Sequence, residues 1–306
     1  MNVLVVGAGA TGGLYGARLA QAGTAVTFLV RPRRAEVLRE RGLRLTGVGE
    51  DEVITPRLVT AGGLSGPYDL VLLSVKSTAL SGALDDLAPA VGPGSAVVPL
   101  LNGMAHLDEL NARFGAGRVL GGVAKVATTL DDQGDIVRLA PRALLDLGEQ
   151  DGRPSARVDA ARTLLRDAGV DSQAPADIVA AMWHKWVFVS TVGALTCLMR
   201  GTVGDINAVP GGHELGPAVL AEAAAVSAAA GFPVPDDELA FTKETVTRSG
   251  VPFSSSLYRD VVAGLPTEAD HIIGDLVDRA RTHGVAVPLL DLAALHLRVH
   301  EHRLNS

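Results

Sequence analysis

Short apolar runs alternate with amphipathic segments over the first half of the chain. Residues 3–6 and 25–30 have the length and composition of buried parallel strands, and residues 14–22 between them carry apolar side chains at helical spacing. Further strands are predicted over residues 69–75, 95–101, 119–129 and 136–147 (the last as two shorter strands), an edge strand or hairpin over residues 53–59, and helices over residues 77–87 and 155–168. This alternation predicts an α/β domain with a parallel, doubly wound sheet and helices on both of its faces.

The second half of the chain has a different pattern, which begins near residue 173. No strand is predicted beyond this point, and prolines separate segments of helical periodicity. The predicted helices span residues 178–198, 212–230, 236–249, 254–263, 267–283 and 289–302. The sequence therefore predicts two domains, an α/β domain over residues 1–172 and an all-α domain over residues 173–306.

A glycine-rich turn joins the first predicted strand to the first predicted helix. Its residues are Gly7, Ala8, Gly9, Ala10, Thr11 and Gly12. In a strand–turn–helix context the first glycine permits the tight turn, the second lets backbone approach a pyrophosphate, and the third lets the helix pack close to the strand. The helix N-terminus adds free amide groups and the positive end of the helix dipole. The first domain is therefore predicted to be a Rossmann-type dinucleotide-binding domain.

The residue that follows the second predicted strand indicates which dinucleotide binds. An acidic residue there would bond a ribose 2′-hydroxyl and disfavour a phosphate, whereas this chain has Arg31, followed by Arg33 and Arg34. The planar guanidinium group of arginine suits phosphate oxygens, so the predicted cofactor is NADP(H). The alternative is that these arginines form a solvated basic turn.

Composition and charge narrow the function classes. The chain has 306 residues and a net charge of −7, which argues against nucleic acid as its main partner. Cys197 is the only cysteine, so no internal disulfide can form, as is typical of the cytoplasm. The apolar N-terminus lacks the basic segment of a signal peptide. Residues 215–232 come closest to a membrane span but contain Glu222. The histidines are not spaced as metal ligands. The sequence thus predicts a cytoplasmic enzyme with no metal and no membrane partner.

Three segments supply candidates for carbonyl chemistry, which needs a proton donor and groups that fix the substrate. Lys76 and Asn102 stand at the ends of two predicted strands, where α/β sheets bind ligands. Lys185 lies in a helix between two tryptophans, a setting that destabilises the charged form of lysine and suits a general acid. Glu268 opens a later helix. The alternatives are a snorkelling Lys185 with a buried stem and a Glu268 that only stabilises the helix dipole.

Eight segments, in order along the chain, resemble the ketopantoate reductase (2-dehydropantoate 2-reductase) family. They are Gly7-Ala-Gly-Ala-Thr-Gly12, Ser74-Val-Lys76, Leu101-Asn-Gly-Met104, Trp183-His-Lys185, Leu195-Thr196, Ser255-Ser256-Leu257-Tyr-Arg-Asp260, Thr267-Glu268-Ala-Asp270 and Gly284-Val-Ala-Val-Pro288. The resemblance extends from one end of the chain to the other. It implies an NADPH-binding Rossmann domain, a helical second domain and a cleft between the two.

The resemblance also implies roles for individual residues. Lys185 would donate a proton, and Glu268 would lie beside the lysine and the substrate and orient both. Lys76 and Asn102 would face the nicotinamide end of the cofactor and the substrate, and Ser256 would face the substrate. The implied reaction is the reduction of a small 2-oxo acid carbonyl by NADPH, a step of pantothenate biosynthesis.

Four positions depart from the pattern of the family. The enzymes that make pantoate carry amides where this chain has Val189, Gly193, Phe253 and Val203. Val189 and Gly193 share the helix face of Lys185, at i+4 and i+8. A site built to bond a polar substrate discriminates through those bonds, so the substrate pocket is predicted to be more apolar here.

The sequence is compatible with three functions. The first is an NADPH-dependent 2-oxo acid reductase, the second is a paralogous NADPH reductase of a less polar ketone or imine, and the third is a non-catalytic NADP(H)-binding regulatory module. The retention of Lys185 and Glu268 speaks against the third, because a sensor needs neither. The sequence leaves open the true small-molecule carbonyl substrate, the direction of the reaction and the oligomeric state, for which a homodimer is one option.

Overall fold

The computed structural model describes residues 1–306 and divides the chain into two units. The first comprises Met1–Leu101 and His106–Val179, and the second comprises Asn102–Ala105 and Ala180–Ser306. The short segment Asn102–Ala105 therefore belongs with the C-terminal half, although the residues on both sides of it belong to the first unit.

The first unit contains nine strands in two sheets. The strands are β1 (Asn2–Val6), β2 (Ala25–Leu29), β3 (Leu43–Gly47), β4 (Glu50–Ile54), β5 (Arg57–Val59), β6 (Leu70–Leu73), β7 (Ala96–Pro99), β8 (Leu120–Leu130) and β9 (Ile136–Glu149). The larger sheet has five strands in the order β5-β2-β1-β6-β7, and all of its pairs are parallel. Every residue of β6 and β7 is buried, as expected for parallel strands covered on both faces. The predicted parallel α/β sheet is confirmed.

The last two predicted strand segments do not extend this parallel sheet. β8 and β9 form an antiparallel hairpin in a second sheet, whose order is β4-β3-β9-β8. The carboxylate of Asp131 organises the hairpin turn by accepting from the amides of Gln133 and Asp135, at 2.9 and 2.8 Å. β9 is one long strand rather than two, and the predicted hairpin or edge strand over residues 53–59 is divided between β4 and the edge strand β5.

Five helices lie in the N-terminal half. They are α1 (Ala10–Gln21), α2 (Pro32–Arg41), α3 (Leu80–Leu87), α4 (Ala105–Phe114) and α5 (Ala156–Asp167). The sequence pattern predicts α1, α3 and α5 but not α2, which buries only Ala35 and Leu38 and so shows almost no apolar periodicity.

The first unit extends beyond its predicted end at residue 172. Residues 171–173 run beside β9, where the Leu147 amide donates to the carbonyl of Gln173 at 3.1 Å and the Gln173 amide donates to the Asp146 carboxylate at 2.8 Å. These bonds keep the segment in the first unit, and the observed division follows Val179.

The C-terminal half is all helical, as predicted. Its elements are α6 (Ile178–Met199), α7 (Val203–Asn207), α8 (Gly212–Ala229), α9 (Asp236–Thr247), α10 (Ser256–Val262), a π-helical turn (Asp270–Gly274), α11 (Asp275–Thr282) and α12 (Pro288–Leu304). The predicted helix over residues 267–283 is therefore interrupted by the π-turn, and the short α7 is additional to the prediction.

The helix α6 is apolar on all sides. By length and composition alone it could cross a membrane. The sequence had instead indicated residues 215–232 as the segment closest to a membrane span. In the structure 61% of its most apolar window is buried inside the protein. A helix that is apolar all round and mostly buried is a core helix, and α6 forms the core of the second unit.

Candidate active site

The glycine turn of the first unit has the geometry of a phosphate cradle. Gly7 has a φ of +94°, and a Cβ atom there would lie 2.9 Å from the carbonyl oxygen of Ser74. A Cβ atom on Gly12 would lie 2.5 Å from the carbonyl oxygen of Gly7. At Gly9, by contrast, a Cβ atom would meet nothing within 4 Å. Packing within the protein therefore requires glycine at Gly7 and Gly12, whereas Gly9 borders open space.

The N-terminus of α1 leaves backbone donors beside that space. Gly9 is the N-cap residue and supplies no side-chain hydrogen bond, and the first intrahelical bond runs from the Gly13 amide to the Gly9 carbonyl at 2.8 Å. The amides of Ala10, Thr11 and Gly12 precede that bond, so they have no partner within the helix. Free amides, the helix dipole and an open approach fit the pyrophosphate of a dinucleotide.

The three arginines after β2 have different surroundings. Arg34 donates to the carbonyl oxygen of Ala8 from Nε and Nη2, at 3.3 and 3.2 Å, and to the carbonyl oxygen of Gly134 at 2.9 Å. Burial lowers the pKa of Arg34, and the nearby carboxylate of Asp135 opposes that shift. Arg31 and Arg33 are exposed. The sequence grouped Arg34 with the phosphate-binding candidates, but the structure gives it a role in fixing the glycine turn.

The predicted strand-end residues belong to different units. Lys76 is exposed just beyond β6 in the first unit. Asn102 is half-buried and belongs to the second unit, where its neighbour Gly103 packs against the π-turn. A Cβ atom on Gly103, whose φ is +85°, would lie 2.8 Å from the carbonyl oxygen of His271. Because Gly103 contacts the backbone of His271, Asn102 lies near the segment that begins at Glu268.

Lys185 lies near the middle of α6 and is half-buried. The two tryptophans that flank it, Trp183 and Trp186, are 3% and 0% exposed, and their ring centroids are 4.9 Å apart. The cation over these rings is Arg279, whose guanidinium carbon lies 5.6 Å from each ring centroid. Both indole rings are therefore buried and lie within cation–π distance of one guanidinium group.

Glu268 is half-buried at the start of the segment that leads into the π-turn. Its neighbour Thr267 is 4% exposed, and both its amide and its hydroxyl donate to one carboxylate oxygen of Glu301, at 2.6 and 2.7 Å. The carbonyl of Glu268 accepts from the amide of Ile272 at 2.9 Å. The backbone around Glu268 is therefore held on both sides.

The π-turn and α6 are joined by hydrogen bonds to one carbonyl oxygen. The indole N–H of Trp186 donates to the carbonyl of Ile272 at 2.7 Å, and the Ser190 hydroxyl donates to the same oxygen at 3.3 Å. Trp186 and Ser190 are both fully buried. The helix of Lys185 and the segment of Glu268 are thus fixed to each other within the second unit.

Two of the predicted substrate-side positions lie on the Lys185 face of α6. Val189 is half-buried, whereas Gly193 is buried against α10 and the π-turn. A Cβ atom on Gly193 would lie 3.0 Å from Cδ1 of Leu257 and 3.8 Å from Cδ1 of Ile273. A side chain at Gly193 would therefore begin against apolar atoms, and Leu257 would have to shift to admit it.

The other two departures lie together near α7. The Val203 amide donates to the carbonyl of Phe253 at 2.8 Å. Val203 is fully buried in a hydrophobic core cluster, so this position serves packing. The Phe253 side chain is 39% exposed and stays a candidate for substrate contact.

The adjacent serines before α10 differ in their surroundings. Ser256, the predicted substrate ligand, is exposed. Ser255 caps the helix by accepting from the Tyr258 amide at 2.9 Å, and its hydroxyl lies 2.9 Å from that of Thr196. Cys197 directly follows Thr196. Burial raises the pKa of its thiol to about 12, which leaves the thiol in the unreactive protonated form.

His184, next to Lys185, contacts α9 rather than the candidate site. Its Nδ1 lies 3.3 Å from a carboxylate oxygen of Glu238. This contact gives His184 a structural setting. No group of three or more histidine, cysteine, aspartate or glutamate side chains is arranged to hold a metal ion.

Family profiles match both halves of the chain. The profile described as ketopantoate reductase PanE/ApbA matches residues 3–152, and the one described as ketopantoate reductase PanE/ApbA C terminal matches residues 177–301.

Two curated proteins are similar to this chain over nearly their whole length. An uncharacterized oxidoreductase of Bacillus subtilis, YkpB, is 30% identical over 98% of this chain and 99% of its own. A 2-dehydropantoate 2-reductase of Archaeoglobus fulgidus is 29% identical over 93% of this chain and 92% of its own.

Solved structures show the same fold. A 2-dehydropantoate 2-reductase from Geobacter metallireducens superposes with a TM-score of 0.89 at 29% identity, covering 97% of this chain and 99% of that one. A D-mandelate dehydrogenase solved with NADH and anilino(oxo)acetate superposes with a TM-score of 0.89 at 21% identity, covering 100% of both chains. At that identity the second comparison establishes the fold alone.

Proposed function

The chain belongs to the ketopantoate reductase family of oxidoreductases, and from this premise we propose that it is an NADPH-dependent reductase of a small 2-oxo acid, with 2-dehydropantoate as the nominal substrate. The observation that carries the proposal is the pair of hydrogen bonds that joins the helix of Lys185 to the segment of Glu268. A proton donor and a carboxylate on two segments fixed to each other suit catalysis, whereas a binding module needs neither group.

The glycine turn supports the cofactor assignment. The amides at the start of α1 and the open space at Gly9 would hold the pyrophosphate, and the exposed Arg31 would bind a 2′-phosphate. When bound, reduced nicotinamide supplies a hydride. D-mandelate dehydrogenase, which shares the fold, was solved with NADH, so the fold alone does not select NADPH. The preference for NADPH is therefore inferred from Arg31.

The residues of the second unit would bind and protonate the substrate. Lys185 holds a proton at Nζ and donates it to the carbonyl oxygen as that oxygen gains negative charge. Glu268 orients the ammonium group and the substrate. Asn102 positions the reacting carbonyl, and Ser256 binds the polar end of the substrate. Lys76, which belongs to the first unit, faces the nicotinamide end of the cofactor.

A second candidate is the reduction of a less polar ketone or imine by the same residues. It is favoured by the apolar surroundings of Gly193, which packs against Leu257 and Ile273, and by Val189 on the same helix face. A pocket without these amides loses the polar contacts that would select 2-dehydropantoate. We therefore expect slow turnover of 2-dehydropantoate and faster turnover of a carbonyl compound with an apolar side chain.

Steady-state NADPH oxidation, followed by absorbance, tests the proposal against a panel of 2-oxo acids, ketones and imines that includes 2-dehydropantoate. Turnover of any 2-oxo acid with a preference for NADPH supports the first candidate, and turnover restricted to ketones or imines supports the second. Tight NADPH binding without turnover of any panel member would refute both and favour a binding module.

A further inference from the structure

The π-turn after Glu268 changes the hydrogen bonding of the backbone. The Ile272 amide bonds the Glu268 carbonyl with helical i+4 spacing, and the Asp275 amide bonds the Asp270 carbonyl with the i+5 spacing of a π-helix. A π-turn displaces carbonyl groups from the regular ladder and often occurs at functional sites. The Ile272 carbonyl lies in this turn and accepts from side chains of another helix.

The two donors to that carbonyl are one helical turn apart on α6. Trp186 directly follows Lys185, and Ser190 directly follows Val189. Each step of one residue rotates by about 100° around the helix, so the donors form a row beside the row of Lys185 and Val189. Two bonds to one fixed oxygen therefore restrain rotation and sliding of the helix that carries Lys185.

The partner segment is itself anchored. Thr267, immediately before Glu268, is tied to the Glu301 carboxylate by two hydrogen bonds, and Gly103 packs against the backbone of His271. The Ile272 carbonyl is therefore a rigid reference point, one turn beyond Glu268 along the chain.

We propose that Trp186 and Ser190 are positioning residues, which bind the Ile272 carbonyl and so hold Lys185 in register with Glu268 for proton transfer. The inference rests on the proposed function, because it assigns a role in that reaction. Neither side chain contacts the substrate in this account. Both act through the backbone of the π-turn, and the indole supplies the shorter bond.

The chain offers a matched pair of substitutions to test this role. Trp186→Phe removes the indole N–H that binds the Ile272 carbonyl. Trp183→Phe replaces the other buried indole, which stacks on Phe232 with ring centroids 5.5 Å apart, by a smaller phenyl ring. We expect Trp186→Phe to lower kcat by about 10- to 100-fold, the range for a misplaced reacting group. The pH profile of kcat should shift, while KM and the Kd for NADPH change little. Trp183→Phe should leave kcat and the profile near their wild-type values.

Ser190→Ala provides a test that does not alter a large ring. It removes only the longer bond to Ile272, and we expect a smaller loss of kcat, about two- to fivefold, of the same kind. If Trp186→Phe and Ser190→Ala both fold and match Trp183→Phe in kcat and pH profile, the positioning role is refuted.

Amide hydrogen exchange of residues 268–274 separates this inference from the proposed function, because it needs no turnover. Exchange should be faster in Trp186→Phe than in wild type and Trp183→Phe. Unchanged exchange would overturn the positioning role even in an active reductase. Failure of the wild-type protein to reduce any panel member would instead overturn the proposed function.

Discussion

The guanidinium group of Arg34 donates two hydrogen bonds to the carbonyl oxygen of Ala8, at 3.2 and 3.3 Å. Ala8 lies in the glycine turn, so this arginine supports the cradle from within the protein. A third bond, to the Gly134 carbonyl, connects the turn to the β8–β9 hairpin. Arg31 and Arg33 remain exposed, so neighbouring arginines in one sequence motif have different surroundings.

Arg31→Ala should weaken NADPH binding by about 1.5–3 kcal/mol, the scale of a charge-assisted contact, and leave NADH binding nearly unchanged. Fluorescence titration with both dinucleotides measures the two affinities. Arg39→Ala, which removes an exposed arginine from the last turn of α2, is the matched control. Equal affinity of the wild-type protein for NADH and NADPH would contradict the assignment of Arg31.

Alanine substitutions at two glycines of the turn should affect different properties, stability at Gly12 and NADPH binding at Gly9. Gly12→Ala places a Cβ atom 2.5 Å from the Gly7 carbonyl oxygen, so we expect it to lower the free energy of unfolding by about 1–3 kcal/mol. Gly9→Ala meets nothing within 4 Å and should leave stability nearly unchanged, yet weaken NADPH binding by about tenfold or more because the methyl group faces the phosphate approach. Denaturant unfolding and NADPH titration distinguish the two effects. Normal NADPH affinity of Gly9→Ala would argue against the cradle.

Asparagine substitutions at the two departures on α6 should also differ. Val189→Asn adds a polar group at a half-buried position and should raise kcat/KM for 2-dehydropantoate by about two- to tenfold, the value of one restored hydrogen bond. Gly193→Asn should instead destabilise the protein by about 1–3 kcal/mol, because its Cβ atom would lie 3.0 Å from Leu257. Thermal unfolding and steady-state kinetics of both variants check these expectations. A fully stable Gly193→Asn with faster turnover would show that the pocket can still accept the amide.

The sequence predicted those parts of the fold that strong periodicity or a packed motif determines. The glycine turn is one, since the close packing of Gly7 and Gly12 leaves no other residue type. The helix α6 is another, because its 22 residues are predominantly apolar. The pairing of β8 and β9 could not be inferred, because an apolar run shows that a strand is buried but not which strand it pairs with.

The candidate site was less predictable where it depends on backbone groups or on neighbouring residues of one type. The role of the Ile272 carbonyl has no signature in residue type, because every residue carries that group. Ser255 and Ser256 are equivalent in the sequence, yet only Ser255 caps α10. The sequence places Lys185 between Trp183 and Trp186, but only the structure shows that both indole rings lie beside Arg279.

The central claim is that Lys185 donates the proton in an NADPH-dependent carbonyl reduction, and the most direct test is kcat of Lys185→Ala on the best panel substrate. We predict a decrease of about 10²-fold or more, the usual contribution of a placed proton donor. The Kd for NADPH should hardly change, because the proposed cofactor ligands are the glycine turn and Arg31. A Lys185→Ala variant that keeps nearly full turnover would contradict the account.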